Sequence, residues 1–198
     1  MLAIGITGSI ATGKSTLLTA FEKAGIPVFS ADAAVAALYS GTAVSPVEAL
    51  FPGVTVDGRI DRQTLAAKLS ADPSGFARLE ALIHPMVREE IARFLRRAEQ
   101  SGAPAAAVEV PLLFESGHDY GFDAVAVTIV DEHTQNQRIM SRPGMTVEKR
   151  DALLARQLPQ AEKKRRATWL FDTSRPPAEI EARVKALVQD IAAGREPT

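Results

Sequence analysis

Gly8-Ser9-Ile10-Ala11-Thr12-Gly13-Lys14-Ser15-Thr16 follows directly on the apolar run Leu2-Ala3-Ile4-Gly5-Ile6. It fills the pattern G-x-x-x-x-G-K-[ST] at every fixed position, with a strand pattern before it and a helical pattern, Thr16-Leu17-Leu18-Thr19-Ala20-Phe21, after it. Strand, glycine-rich loop and helix start are the context a phosphate-binding P-loop requires; a chance glycine-rich turn is the competing reading. Gly8 and Gly13 let the backbone bend so that successive N–H groups point inward at phosphate oxygens. The loop opens a helix whose unpaired N–H groups and positive dipole end favour an anion. Lys14 is expected to reach the β- and γ-phosphates, and the Ser15 hydroxyl to hold Mg²⁺. Gly8, Ala11, Thr12, Gly13, Lys14, Ser15 and Thr16 are therefore the expected ATP-binding residues.

The rest of the composition sets bounds. The chain has 198 residues, 46% apolar and 24% charged, which is ordinary for a soluble domain with a good core. A net charge of −1 provides no global field toward nucleic acid or anionic membrane, so any anion site must be local. With no cysteine, disulfides, thiolate zinc sites and a cysteine nucleophile are excluded. The N-terminal apolar run has no basic flank of the secretory kind, and the uncharged stretch 33–47 is broken by Gly41 and Pro46 and too short to span a bilayer. A cytoplasmic enzyme is the expectation.

Along the chain, apolar runs alternate with helical patterns. Strands are predicted at about Leu2–Ile6, Pro27–Phe29, Ala105–Val110, Ala124–Val130 and Trp169–Asp172, short and apolar throughout, as suits parallel strands covered on both faces. A helix over Lys14–Ala24 ends at Gly25, and a last helix runs from Pro177 to about Ala193. This alternation implies right-handed crossovers and an open parallel sheet with its ligand beyond the carboxyl strand ends. Two segments exceed that minimum. Residues 33–100 read as mostly helical, with Arg62–Leu69 and Ser74–Gln100 as candidates and a kink or break expected at Pro85. Residues 138–166 hold Arg138, Arg142, Lys149, Arg150, Arg156, Lys163, Lys164, Arg165 and Arg166 with few acids. That cluster reads either as a solvated face or as a basic lid over a triphosphate, which excludes water and neutralises developing charge. Residues 192–198 read as a loose tail.

Three further places carry chemistry. Asp32 follows the second strand; it is either a base or Mg²⁺-supporting carboxylate at the phosphate site, or the N-cap of the next helix. Glu109 ends a strand where P-loop proteins often place the acid that supports Mg²⁺, and Pro111-Leu112-Leu113-Phe114-Glu115 follows as an apolar wall or as plain core. His84, before Pro85, is a structural residue or a ligand contact.

The order and spacing of Thr7–Thr16, Ala31-Asp32, Ile83-His84-Pro85, Pro111-Leu112-Leu113-Phe114-Glu115, Arg138 with Arg142, and Arg156-Gln157 resemble the dephospho-CoA kinases over nearly the whole chain. The Ile-His-Pro and Pro-Leu-Leu-Phe-Glu elements are the more specific part. The resemblance implies transfer of the ATP γ-phosphoryl to the ribose 3′-hydroxyl of dephospho-CoA, the last step of coenzyme A synthesis. It also implies a three-layer α/β/α P-loop fold with a five-stranded parallel sheet, like that of nucleoside monophosphate kinases. The core would be 1–32, 101–137 and 167–198, with a helical substrate subdomain at 33–100 and a lid at 138–166. Asp32 then looks like the general base, Lys14 and the loop amides hold phosphates, and Arg138 and Arg142 belong to the nucleotide side, with Arg142 as the catalytic lid arginine. His84, Leu112 and Glu115 would line the acceptor side. The chain departs from the family where Ser30-Ala31-Asp32 replaces the usual Asp-Ala-Asp, and where Thr168 and Thr173 replace an Asp and an Asn about the last strand, which leaves the adenine-side contacts open. ATP and dephospho-CoA are the expected partners, with Mg²⁺ as cofactor, neither nucleic acid nor membrane, and a monomer or weak homo-oligomer. Another small-molecule P-loop kinase and a nucleotide-dependent switch are the alternatives, but the chain has no guanine-reading Asn-Lys-x-Asp.

Overall fold

The computed structural model describes Met1–Arg195; the last three residues of the expected tail lie outside the described residues. In chain order the elements are β1 (Leu2–Gly8), α1 (Lys14–Lys23), β2 (Val28–Ser30), α2 (Ala31–Leu38), α3 (Val44–Leu50), β3 (Thr55–Val56), β4 (Arg59–Ile60) and α4 (Arg62–Ala71). There follow α5 (Gly75–Gln100), β5 (Ala105–Glu109), β6 (Ala124–Ile129), α6 (Glu132–Met140), α7 (Val147–Ala155), α8 (Gln160–Arg165), β7 (Trp169–Asp172) and α9 (Pro177–Ala192). They form two compact units, one of Met1–Ser30 with the chain from Phe94 on, the other Ala31–Arg93.

The first unit is built on a five-stranded sheet in the order β2-β5-β1-β6-β7. Every pairing in it is parallel. β1 lies in the middle, with β5 on one side and β6 on the other, so the strand order reverses at β1. In such sheets the crevice at the reversal, beyond the carboxyl ends, is where ligand binds. The predicted strands are observed, with ends moved by a residue or two. β1 and β5 are buried almost throughout because helices cover both faces. Ala105, Ala106 and Ala107 are wholly buried; Ala105 and Ala107 share one face with Leu17 and Phe21 of α1, and their small side chains let that helix pack closely on the sheet. Ile4, Ile6, Leu17, Phe21, Phe171 and Val184 form the centre of that core, with Phe21 and Phe171 edge-on at 6.3 Å between ring centres. Gly25 (φ 87°) ends α1 in a left-handed turn, as its position implied.

The second unit contains an element that the mostly helical reading omitted. β3 and β4 pair antiparallel, Thr55 opposite Ile60 and Val56 opposite Arg59. The turn is Asp57-Gly58, both at positive φ (49° and 74°), the pattern that matches the twist of a two-residue hairpin. Glu48 braces it from α3, accepting the Gly53, Val54 and Thr55 N–H groups and the Thr55 hydroxyl at 2.5–3.1 Å. Those bonds, the Thr55 hydroxyl foremost, hold its carboxyl below the usual range.

Of the kink or break expected at Pro85, the break does not occur: α5 runs unbroken through it. Ile83, Val87 and Ile91, four residues apart, are all buried. At about 1.5–3 kcal/mol for each buried side chain, the stripe outweighs the ~3 kcal/mol of one interior proline.

Candidate active site

The loop from Ser9 to Gly13 joins the carboxyl end of β1 to α1. Gly13 stands at φ 82° as the first residue before the helix, a left-handed conformation that suits glycine. A Cβ there would lie 2.9 Å from Thr173, and one on Gly8 would collide with Thr128 and Thr12. The first turn of α1 carries no acidic residue and no side-chain cap. Its leading N–H groups are therefore left to an anion, as the motif implied. Ser15 is exposed there and Thr16 half-buried. Lys14 Nζ donates to the Gly8 and Ser9 carbonyls at 3.1 and 3.2 Å, which holds the ammonium at the loop mouth.

The loop is pinned from outside by residues far away in sequence. Thr12, fully buried, bonds through its hydroxyl to the Ser9 carbonyl (2.8 Å) and to Thr128 Oγ1 (2.7 Å). Thr173, just beyond β7, donates its hydroxyl to the Thr12 carbonyl at 2.8 Å. Arg138, on α6, donates to the Thr173 hydroxyl (3.0 Å) and carbonyl (2.8 Å), and a longer contact reaches the Ala11 carbonyl at 3.4 Å. Arg138 is thus fastened to the core beside the loop. Thr173, which replaces the family's usual Asn, links the loop, the last strand and Arg138. Thr168 lies at the other end of β7, its hydroxyl accepting the Val125 N–H at 3.0 Å.

α6 presents Arg138 because Asp131 caps it, accepting the Thr134 N–H at 2.9 Å. The Thr134 hydroxyl and N–H hold the Asp131 carboxyl below the usual range. One turn before Arg138, buried Gln135 donates to the Ile10 carbonyl at 2.8 Å. Gln157, between α7 and α8, accepts the Ile10 N–H at 2.8 Å. The glutamines were not among the expected site residues, although Gln157 stood in the family motif.

One strand from β1, Glu109 pairs in register with Ile6 and with Ser30. It is 8% exposed and its carboxylate accepts the Ser30 hydroxyl at 3.0 Å. Ser30, the departure from the family's Asp, thus supports a second acid instead of adding one. Beyond it the chain turns at Pro111, whose carbonyl accepts the Thr7 hydroxyl at 3.2 Å. Leu113 is buried and Leu112 half-buried.

Glu115 takes part in a buried ion pair that nothing in the sequence marked: its Oε1 lies 2.7 Å from Nζ of Lys163, which is 0% exposed. The same oxygen accepts the Leu158 N–H at 2.8 Å. Lys163 therefore leaves the solvent-facing basic set. Arg165 and Arg166 both pair with Glu162, and Arg150 with Asp151. Arg142 is exposed in the turn after α6, and its guanidinium has no partner among the described residues.

In the second unit, Asp32 is the second residue of α2, exposed, and caps no backbone N–H among the described residues. It lines a cavity of about 460 Å³ with Tyr39, Arg62, Leu65, Leu69 and Leu79. Arg62 lies 5.7 Å above the Tyr39 ring, and burial pushes the Tyr39 hydroxyl's pKa up against the opposing Arg62 charge. His84 is exposed on α5 and does not line this cavity. Among the described residues no cluster of three or more His, Asp or Glu stands ready for a metal, and no helix is long and apolar enough to cross a membrane.

The family model for dephospho-CoA kinase matches residues 2–178. A dephospho-CoA kinase of Rhodopseudomonas palustris (strain HaA2) is 48% identical over 197 residues, covering 100% of this chain and 98% of the relative. Among solved structures, a Thermus thermophilus protein superposes with TM-score 0.79 at 34% identity, over 96% of this chain and 97% of that one. A dephospho-CoA kinase from Campylobacter jejuni superposes with TM-score 0.67 at 25% identity, over 96% of each. On sequence and on fold, this chain belongs to the dephospho-CoA kinase family.

Proposed function

We propose that the protein transfers the γ-phosphoryl group of ATP to the ribose 3′-hydroxyl of dephospho-CoA, giving coenzyme A and ADP. The observation that carries this reading is the uncapped first turn of α1 behind a firmly pinned glycine loop, in a chain of this family. The loop amides and Lys14 hold the β- and γ-phosphates. Asp32 accepts the 3′-hydroxyl proton as its oxygen bonds to the γ-phosphorus and the bond from phosphorus to the β-phosphate bridging oxygen breaks. Lys14 and Arg142 stabilise the charge that spreads over the moving group. Mg²⁺ fits beside the exposed Ser15 hydroxyl, a hard oxygen donor at the loop's end. The chemistry it would supply there is to offset the charge of the phosphates.

On this reading residues 33–100 take the acceptor and 138–166 form the lid over the triphosphate, with the remainder as core. The cavity lined by Asp32, Tyr39 and Arg62 gives the acceptor segment a concave face with one acid and one base among aliphatic walls. His84, Leu112 and Glu115 belong to that acceptor side. We place the enzyme in the cytoplasm, acting on small molecules as a monomer or weak homo-oligomer and not on nucleic acid. The direct test is purified protein with ATP, Mg²⁺ and dephospho-CoA alone, the 3′-phosphorylated product being identified by mass and phosphorus NMR. A panel of other acceptor alcohols tests selectivity; faster transfer to one of them would overturn the assignment.

Two substitutions probe the division of labour. His84→Ala is expected to raise KM for dephospho-CoA more than KM for ATP, in steady-state kinetics with each substrate varied. A larger change in the ATP value would reverse the sides. Arg142→Ala is expected to lower kcat/KM for ATP by about 10–100-fold, since a charge-assisted fork that meets phosphate on closure acts mainly on the transition state. Hydrogen exchange should show nucleotide-dependent protection across 138–166 shrinking with it. If Arg138→Ala has that kinetic effect and Arg142→Ala has none, the lid arginine is one helical turn earlier.

A further inference from the structure

Ile10 is held on both sides by carboxamides. Its carbonyl accepts Gln135 Nε2 at 2.8 Å, Gln135 Oε1 accepts Gln160 Nε2 at 2.9 Å, and Gln160 Oε1 accepts the Val130 N–H at 3.3 Å. Its N–H goes to Gln157 Oε1 at 2.8 Å. Only the oxygen of a carboxamide can accept from an N–H, so this bond fixes which end of Gln157 is the NH₂. With the oxygen committed, the Nε2 hydrogens have no partner among the described residues. Gln157 and Ser9 both line a cavity of about 950 Å³, with Gln135 and Leu154. The Lys14 ammonium, which in this motif reaches the β- and γ-phosphates, lies against the Gly8 and Ser9 carbonyls. The terminal-phosphate end of the loop is therefore Gly8–Ile10, where Gln157 is docked.

We propose that Gln157 is a further phosphoryl-binding residue of this enzyme: its oxygen fixes the Ile10 peptide while its NH₂ donates to the phosphoryl group in transfer. Because it lies between α7 and α8, inside segment 138–166, it also ties that segment to the loop at the moment of reaction. The inference rests on the ATP-kinase reading above. Phosphorylation of dephospho-CoA by the wild-type protein is the control that separates failure of that reading from failure of the Gln157 assignment.

Gln157→Met keeps length and shape but neither accepts nor donates usefully. Gln157→Glu keeps an acceptor for Ile10 and loses the donors. Both are expected to lower kcat about 10–100-fold, with KM for ATP and dephospho-CoA changed less than about threefold. The affinity for ADP with aluminium fluoride, a mimic of the group in flight, should fall by the same factor in the presence of Mg²⁺ and dephospho-CoA, while affinity for ADP alone holds. Thermal melts and circular dichroism check the fold of each variant. Wild-type kcat in Gln157→Met overturns the assignment. So does recovery of wild-type kcat in Gln157→Glu, which would leave only the clamp on Ile10. Equal losses for ADP and for the fluoride complex would also overturn it, since a residue that merely shapes the loop weakens both alike.

Discussion

Asp32→Asn should retain its fold and its ATP and lose about 10²–10⁴ in turnover, the range for a general base removed from its proton. The carboxylate is exposed in the first turn of α2, where its charge favours the helix by about 0.3–1 kcal/mol through the dipole. Asparagine forfeits at most that much, so the melting temperature should move by only a few degrees. It cannot take up a proton, so the 3′-hydroxyl would have to attack while still protonated. A melt, an ATP titration and a transfer assay on one preparation separate the possibilities. A well-folded variant with intact turnover would leave Asp32 without a catalytic role. Loss of ATP binding would transfer it to the metal side of the reaction.

Lys14→Ala should cost about 10²–10³ in kcat, the usual effect of removing one preorganised donor from a developing anion. The half-buried side chain bonds to loop carbonyls at 3.1 and 3.2 Å, and it stands outside the apolar core. The loop itself is held by Thr12, Thr173, Gln135 and Gln157, so its shape should survive the loss. Circular dichroism with a kinetic assay tests both halves of the statement; near-normal turnover in a folded variant would falsify the phosphate-cradle role.

The short glycine pattern was sufficient to place strand, loop and helix because each of its requirements is local. Gly13 must turn at positive φ, Lys14 must open a helix, and the run before Gly8 must be apolar on both faces. The five parallel strands were legible for the same reason: continuous burial leaves short apolar runs. The β3–β4 hairpin was not read: its turn signal, Asp57-Gly58, is local, but the strands it joins are two residues each and too short to show a period of two. The helix continues through Pro85 because a local rule met a non-local one. The proline penalty is written in the chain, whereas the packing of Ile83, Val87 and Ile91 that outweighs it becomes visible only when the unit is folded.

The sequence by itself determined the phosphate loop, the parallel sheet, the family and the candidacy of Asp32, Lys14 and Arg142, since those rest on residue type at short spacing. Only the tertiary structure decided what holds the loop. Gln157, Gln135 and Thr173 reach it from 147, 125 and 161 residues away. Only the folded chain also showed that Lys163, one cation in a basic run, is buried against Glu115. A side chain's hydrogen-bond partner across such separations is set by strand order and helix placement, and no local periodicity encodes it.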